Sequence, residues 1–91
     1  MKRVDNKVAL VTGGAMGLGR AIALLLGREG ARVVVTDVNA AEGAAVADSI
    51  IEAGGEAVFL RHDVVSEEEW RHVVKTTLNR FGRLDILVNN A

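Results

Sequence analysis

The sequence predicts an α/β protein built on a parallel sheet, and three observations carry that expectation. Short β-branched apolar runs alternate with longer amphipathic stretches in the order βαβαβαβ. The first run, KVALVT (7–12), is nearly all apolar, as a strand covered on both faces must be, and RVVVTD (32–37), with its three valines, reads as a second buried strand. The links between elements are short, which suits right-handed crossovers between parallel strands. At 91 residues the chain is one domain at most, with a modest core.

Each element follows from its own residues. Residues 7–12 form the first strand. LGRAIALLLGREG (18–30) is helical, with Ile22, Leu25, Leu26 and Glu29 at helical spacings and Gly30 as its stop. Residues 32–37 form the second strand. Asn39 caps the next helix, with Glu42 at capping-box spacing, and that helix runs to about Ala53 before Gly54-Gly55. EAVFLR (56–61) is the third strand. Ser66 and Glu69 form a second capping box, and the Glu67–Glu69 run suits a positive helix N-terminus before it suits any binding role. The third helix carries Trp70, Val73, Val74, Thr77 and Leu78 and ends near Phe81-Gly82. LDILVNNA (84–91) is a fourth strand.

Composition narrows the function. A formal net charge of −1 argues against a nucleic-acid partner. There is no Cys, hence no disulfide framework and no thiolate chemistry. The N-terminal decapeptide lacks the apolar core of a signal peptide, and no run approaches the ~20 apolar residues of a membrane span. These features lead to the expectation of a cytoplasmic protein. The absence of Tyr removes one class of general acid. His62 and His72 read as ordinary residues at a strand end and on a helix, with no ligand set around them, so no metal site is expected. Trp70 reads as packing rather than a stacking platform.

The glycines are the strongest signal. After the first strand the chain reads Thr12-Gly13-x-x-x-Gly17-x-Gly19 and then enters a helix. Unpaired N–H groups and the helix dipole make such an end attractive to an anion, and glycine lets the anion approach. Read alone, the loop is also compatible with a tight strand–helix turn. Asp37 ends the second strand 18 residues after Gly19, where a carboxylate can accept ribose hydroxyls or simply cap a turn. Asp63-Val64 follows the third strand, where Asp also begins turns.

Together, TGGAMGLG, VVVTD, HDV and LVNNA resemble the short-chain dehydrogenase/reductase family, over the whole chain and in order. The resemblance implies a Rossmann-type sheet in the order 3-2-1-4. Helices one and two would cover one face and helix three the other. It implies a dinucleotide site in which Gly13, Gly17 and Gly19 form the phosphate loop. Met16 and Leu18 would contact the diphosphate and nicotinamide side. Asp37 would take the adenosine ribose, Asp63 and Val64 would flank the adenine, and Asn90 and Ala91 would touch the cofactor at the end of strand four. Gly14, Ala15, Met16 and Val38 stand where NADP-preferring members often carry a basic residue, so the cofactor implied is NAD. The wording is most similar to members acting on secondary alcohols, including cyclic alcohols and hydroxysteroids.

In that family the catalytic Ser, Tyr, Lys and Asn follow the N-N-A-G segment, so no catalytic residue is expected within residues 1–91. The reading is a dinucleotide-binding half-domain spanning 1–91, from a protein that is a homo-oligomer when complete. In isolation it is expected to be marginal, aggregation-prone or partnered. Two alternatives stay open: a non-catalytic nucleotide-binding or interaction module ending natively near Ala91, and a decayed product that binds nothing.

Overall fold

In the computed structural model, which describes residues 4–90, the order of elements is the expected one. They are β1 (Val8–Thr12), α1 (Gly17–Arg28), β2 (Arg32–Asp37), α2 (Ala40–Glu52), β3 (Glu56–Arg61), α3 (Glu67–Phe81) and β4 (Ile86–Asn89). The four strands form one sheet in the order β3-β2-β1-β4, and every pair is parallel. Val11 lies beside Val35 on one side and Val88 on the other, so the C-terminal ends of β1, β2 and β4 finish level with one another. No helix among the described residues is long and apolar enough to cross a membrane.

The apolar runs decide which strands lie inside. All five residues of β1 are buried, and so are Val33, Val34, Val35 and Thr36 of β2. Alternate side chains then feed two cores. Ala9, Val11, Val33, Val35 and Ala57 pack beneath α1 and α2, against Ala23, Val46, Ala47 and Ile50. Leu10 and Val34 point the other way, onto Val73 of α3 with Trp70, Phe81 and Leu84 around them. Two helices on one face and one on the other is the expected arrangement. A single helix covers its face only in part. Val73 and Thr77 are buried, whereas Leu78 of the same helix and Leu87 of β4 are exposed.

Some expectations are corrected. The strand expected over 84–91 is shorter. Asp85 instead brackets the start of β1, its N–H donating to the Val8 carbonyl at 2.9 Å and its Oδ2 accepting the Val8 N–H at 2.9 Å. Asn39 does not cap α2 with its side chain. Its own N–H is taken by Asp37 Oδ1 at 3.0 Å, and its Nδ2 faces Met16 Sδ at 3.8 Å. The box at α3 is half formed. Ser66 Oγ accepts the Glu69 N–H at 3.2 Å, but Glu69 Oε1 accepts the Asp63 N–H at 3.0 Å rather than that of Ser66. The Ser66 N–H is already given to the Asp63 carbonyl, which leaves the glutamate no donor there. Helix one stops where expected, with Glu29 as its C-cap and Gly30 just beyond at φ 99°.

Candidate functional site

The C-terminal edge of the sheet gathers the residues singled out from the sequence. Its base is Thr12, fully buried at the end of β1. The Thr12 hydroxyl donates to Asn89 Oδ1 at 3.0 Å and accepts the Asn90 N–H at 3.1 Å. Asn90 in turn donates from Nδ2 to the Gly13 carbonyl at 3.3 Å. The end of β4 is thereby tied to the first residue of the glycine turn. Sequence reasoning gave Thr12 no role of its own. The signal was its place in an otherwise apolar strand, where a buried hydroxyl must find partners.

The turn itself is shaped by two requirements on its glycines. Gly17 has φ +56°, a left-handed conformation, and open space surrounds the position a Cβ would take. Gly19 is the opposite case. A Cβ there would run into the Gly13 carbonyl and come within 2.6 Å of Asn90 Nδ2. Only hydrogen at Gly19 lets α1 approach the end of β1 this closely.

The start of α1 has no side-chain cap and no acidic residue in its first turn. The first N–H groups of a helix have no intrahelical partner, and the macrodipole makes that end positive. At α3 the same problem is solved internally, by the Ser66 cap and by Glu67, Glu68 and Glu69. At α1 it is left to water or to a ligand.

Asp37 spans from β2 to this turn. Its Oδ2 accepts the Ala15 N–H at 3.1 Å, while Oδ1 holds Asn39. The Gly14 N–H donates to the Thr36 carbonyl at 3.0 Å, so the turn is bonded to β2 at successive residues. A cleft of about 420 Å³ opens beside it, lined by Ala15, Met16, Gly17 and Arg20 of the turn and α1 and by residues of α2. Met16, Leu18, Val38 and Val65 stand exposed around this end of the sheet, Val65 at 86%. Val38 and Val65 were not among the candidate site residues.

Asp63 behaves as a turn residue, with Oδ1 accepting the Val65 N–H at 3.1 Å. The Val64 carbonyl accepts the Trp70 indole N–H at 2.7 Å. Trp70 packs in the second core, as expected of it. His62 is not the ordinary strand-end residue the sequence suggested. It is 1% exposed, its Nδ1 meets the Thr36 hydroxyl at 3.1 Å, and its Nε2 has no hydrogen-bond partner among the described residues. Burial pulls its pKa below the usual 6.5, against the opposing pull of the Glu69 and Asp63 carboxylates. Ala91 lies outside the described residues. Among the described residues no three His, Cys, Asp or Glu side chains form a group able to hold a metal ion.

Comparison with known proteins agrees with this geometry. Residues 7–91 match the family model described as short chain dehydrogenase. The chain is 50% identical over 91 residues to a cyclopentanol dehydrogenase of Comamonas sp., covering 100% of itself and 36% of that protein. It is 47% identical over 89 residues to a 3-beta-hydroxysteroid dehydrogenase of Comamonas testosteroni, covering 98% of itself and 34% of that protein. The crystal structure of a hydroxysteroid dehydrogenase from Escherichia coli superimposes with a TM-score of 0.95 at 42% identity, over 98% of this chain and 38% of that one. The chain thus spans a little over a third of the length of these relatives. A family-model match along residues 7–91, together with a fold that superimposes closely on that hydroxysteroid dehydrogenase, places the chain in the short-chain dehydrogenase family.

Proposed function

We propose that this chain is the NAD-binding part of a dehydrogenase that interconverts a secondary alcohol and a ketone. The observation that carries the reading is the Asp37 carboxylate. It sits at the end of β2, fixed by the backbone N–H groups of Ala15 and Asn39, beside a glycine turn whose helix start is uncapped. Dehydrogenases of this family use nicotinamide dinucleotides. The residues present fit such a group. The open space at Gly17 admits a diphosphate, and the N-terminal N–H groups of α1 supply donors for it.

On this reading Gly13, Gly17 and Gly19 shape the turn and let the diphosphate approach backbone. Met16 and Leu18 border the diphosphate and nicotinamide side. Asp37 accepts the adenosine ribose hydroxyls. Asp63 and Val64 flank the adenine, and Asn90, with Ala91, borders the cofactor at the end of β4. When bound, the nicotinamide supplies the hydride acceptor. What this chain's residues contribute is binding and orientation. The chain has no Tyr to hold or move the substrate's hydroxyl proton, and no catalytic role is assigned to its residues.

Residues 13–19 and 38–39 contain no Lys or Arg, and a 2′-phosphate would face the Asp37 carboxylate. This favours NAD over NADP, with Arg20 just beyond the turn as the one nearby cation in α1's first residues. The names of the relatives, cyclopentanol and hydroxysteroid dehydrogenases, support a cyclic secondary alcohol as the substrate class of the whole protein. We further propose that the whole protein is cytoplasmic and a homo-oligomer.

Calorimetric titration tests the cofactor assignment. NAD binds, and NADP binds at least tenfold more weakly. Asp37→Ala lowers NAD affinity about 10- to 150-fold, the value of hydrogen bonds to a charged group. Equal affinity for the two cofactors, or an Asp37→Ala variant that binds NAD as the parent does, would overturn the reading.

A further inference from the structure

The buried imidazole of His62 lies between the two segments assigned to the adenosine half of the cofactor, and three contacts connect it to them. Its backbone N–H donates to the Asp37 carbonyl at 3.1 Å. Its Nδ1 meets the hydroxyl of Thr36, the residue before Asp37, at 3.1 Å. Its ring stands edge-on to Trp70, with centroids 4.4 Å apart and planes at 86°. Trp70 then holds the Val64 carbonyl through its indole N–H at 2.7 Å. A continuous path therefore runs from Asp37 through Thr36, His62 and Trp70 to Val64.

We propose that His62 is a positioning residue for the adenosine end of the site: its neutral ring, wedged between Thr36 and Trp70, holds the Asp37 and Asp63–Val64 turns in place, and protonation releases them. This rests on the dinucleotide reading above.

The chemistry of the pocket gives the direction. In the tautomer whose Nδ1–H donates to the Thr36 hydroxyl, the neutral ring leaves only an acceptor nitrogen, Nε2, without a partner among the described residues. A protonated ring would bury a charge with an N–H at Nε2 that meets no acceptor among the described residues. Glu69 on α3 and Asp63 beside it attract the charged form, and burial outweighs them. Glu69 is also engaged elsewhere, with Arg61 at 3.4 Å and the Asp63 N–H at 3.0 Å. Asp37 on β2 spends both oxygens on backbone N–H groups. A protonated ring is therefore driven toward water, away from Thr36 and Trp70. Because the closed state has the lowered pKa, the opened state binds the proton more tightly. The closed fraction is full above 6.5 and falls as the pH drops below it. Cofactor affinity falls with that fraction.

The chain has one Trp and no Tyr, so indole emission reports on Trp70 alone. The experiment follows emission and calorimetric NAD affinity together from pH 7.5 to 5.0, with far-UV circular dichroism as a check on folding. The expected result is one emission step below pH 6.5, accompanied by a rise of about threefold or more in the apparent Kd. His62→Phe keeps a ring against Trp70 but has no nitrogen to titrate, and it loses both steps. Thr36→Val removes the hydroxyl at nearly constant volume, and it weakens NAD binding at pH 7.5 about threefold or more. NAD affinity that is flat with pH, or equally steep in His62→Phe, overturns the positioning role and leaves the cofactor reading standing. Should His62→Phe not fold, a Thr36→Val variant with the parent's affinity and pH slope overturns it instead. Failure of the folded parent to bind NAD at pH 7.5 is the separate result that removes the cofactor reading, and the positioning role with it.

Discussion

Replacing Gly19 by Ala tests whether the glycine turn is built for close approach. The added methyl has no free direction. It meets the Gly13 carbonyl oxygen and lies 2.9 Å from the Gly13 carbonyl carbon and 2.6 Å from Asn90 Nδ2. The Asn90 side chain can swing aside, but only by giving up its bond to that carbonyl. The backbone cannot swing, so α1 must move off the end of β1. Overpacking of this kind costs about 1–3 kcal/mol, and contact with backbone puts the cost near the upper end. Ala gains about 1 kcal/mol over Gly in a helix, which leaves a net loss of about 2 kcal/mol. With a urea m-value of about 1 kcal/mol/M for a chain this small, the midpoint should fall by about 2 M. Gly27→Ala provides a contrast on the same helix, because its methyl would meet only the Ile50 side chain, at 2.7 Å. A Gly19→Ala variant with the parent's urea midpoint would refute the steric account of this position.

Three further outcomes follow from the fold. Ser66→Ala should cost about 1 kcal/mol in urea melts, because Ser66 caps the Glu69 N–H, whereas Asn39→Ala should cost almost nothing, because Asn39 caps nothing. Thr12→Val removes the partner of the Asn90 N–H and of Asn89 Oδ1, both part-buried, and should destabilise by about 0.5–1.5 kcal/mol in the same assay. The Arg83 guanidinium, bonded to Asp85 at 2.7 Å, holds that carboxyl below its usual 3.8, helped by the Val8 N–H. A lowered carboxyl stabilises the fold above pH 3.8 and stops doing so as the pH falls through its folded-state value, so Asp85→Asn should flatten the acid limb of a stability–pH curve.

What the sequence disclosed and what it hid have physical causes. β1 and β2 were legible because burial on both faces forces a continuous apolar run, and theirs are rich in β-branched valine where the run in α1 is Ala and Leu. The sheet order came from the resemblance, not from periodicity, since alternating strands and helices allow more than one order. The caps were half legible. Spacing identifies a residue able to cap, but not whether a neighbour claims the same donor first, as Asp37 does at Asn39. His62 was invisible for a related reason. Its isolation from other ligand residues in the sequence made it look idle, while its burial against Thr36 and Trp70 depends on β2 and α3 lying on either side of β3's end. Val65 carries no sequence signal, because single apolar residues after strands are common, and Val38 was read only as the place of a missing basic residue; their joint exposure is visible in the structure alone.

The polar contacts around the glycine turn also explain how one site is both rigid and open. Thr12 and Asn90 act on the β4 side, where Asn90 takes the Gly13 carbonyl. Asp37 and Thr36 act on the β2 side, taking the Ala15 and Gly14 N–H groups. Each bond ends before the helix begins. From Gly17 onward α1 has neither a cap nor an acidic residue in its first turn, in contrast to α3, whose N-terminus is neutralised by its own side chains. Had α1 carried a Ser or Asp at its cap, the helix would gain about 1 kcal/mol and lose the donors an anion needs. The stability forgone at α1 is returned by anchoring the turn to strands on both sides. A diphosphate there would then meet N–H groups held in position before it arrives, which is the condition for tight binding with little ordering cost.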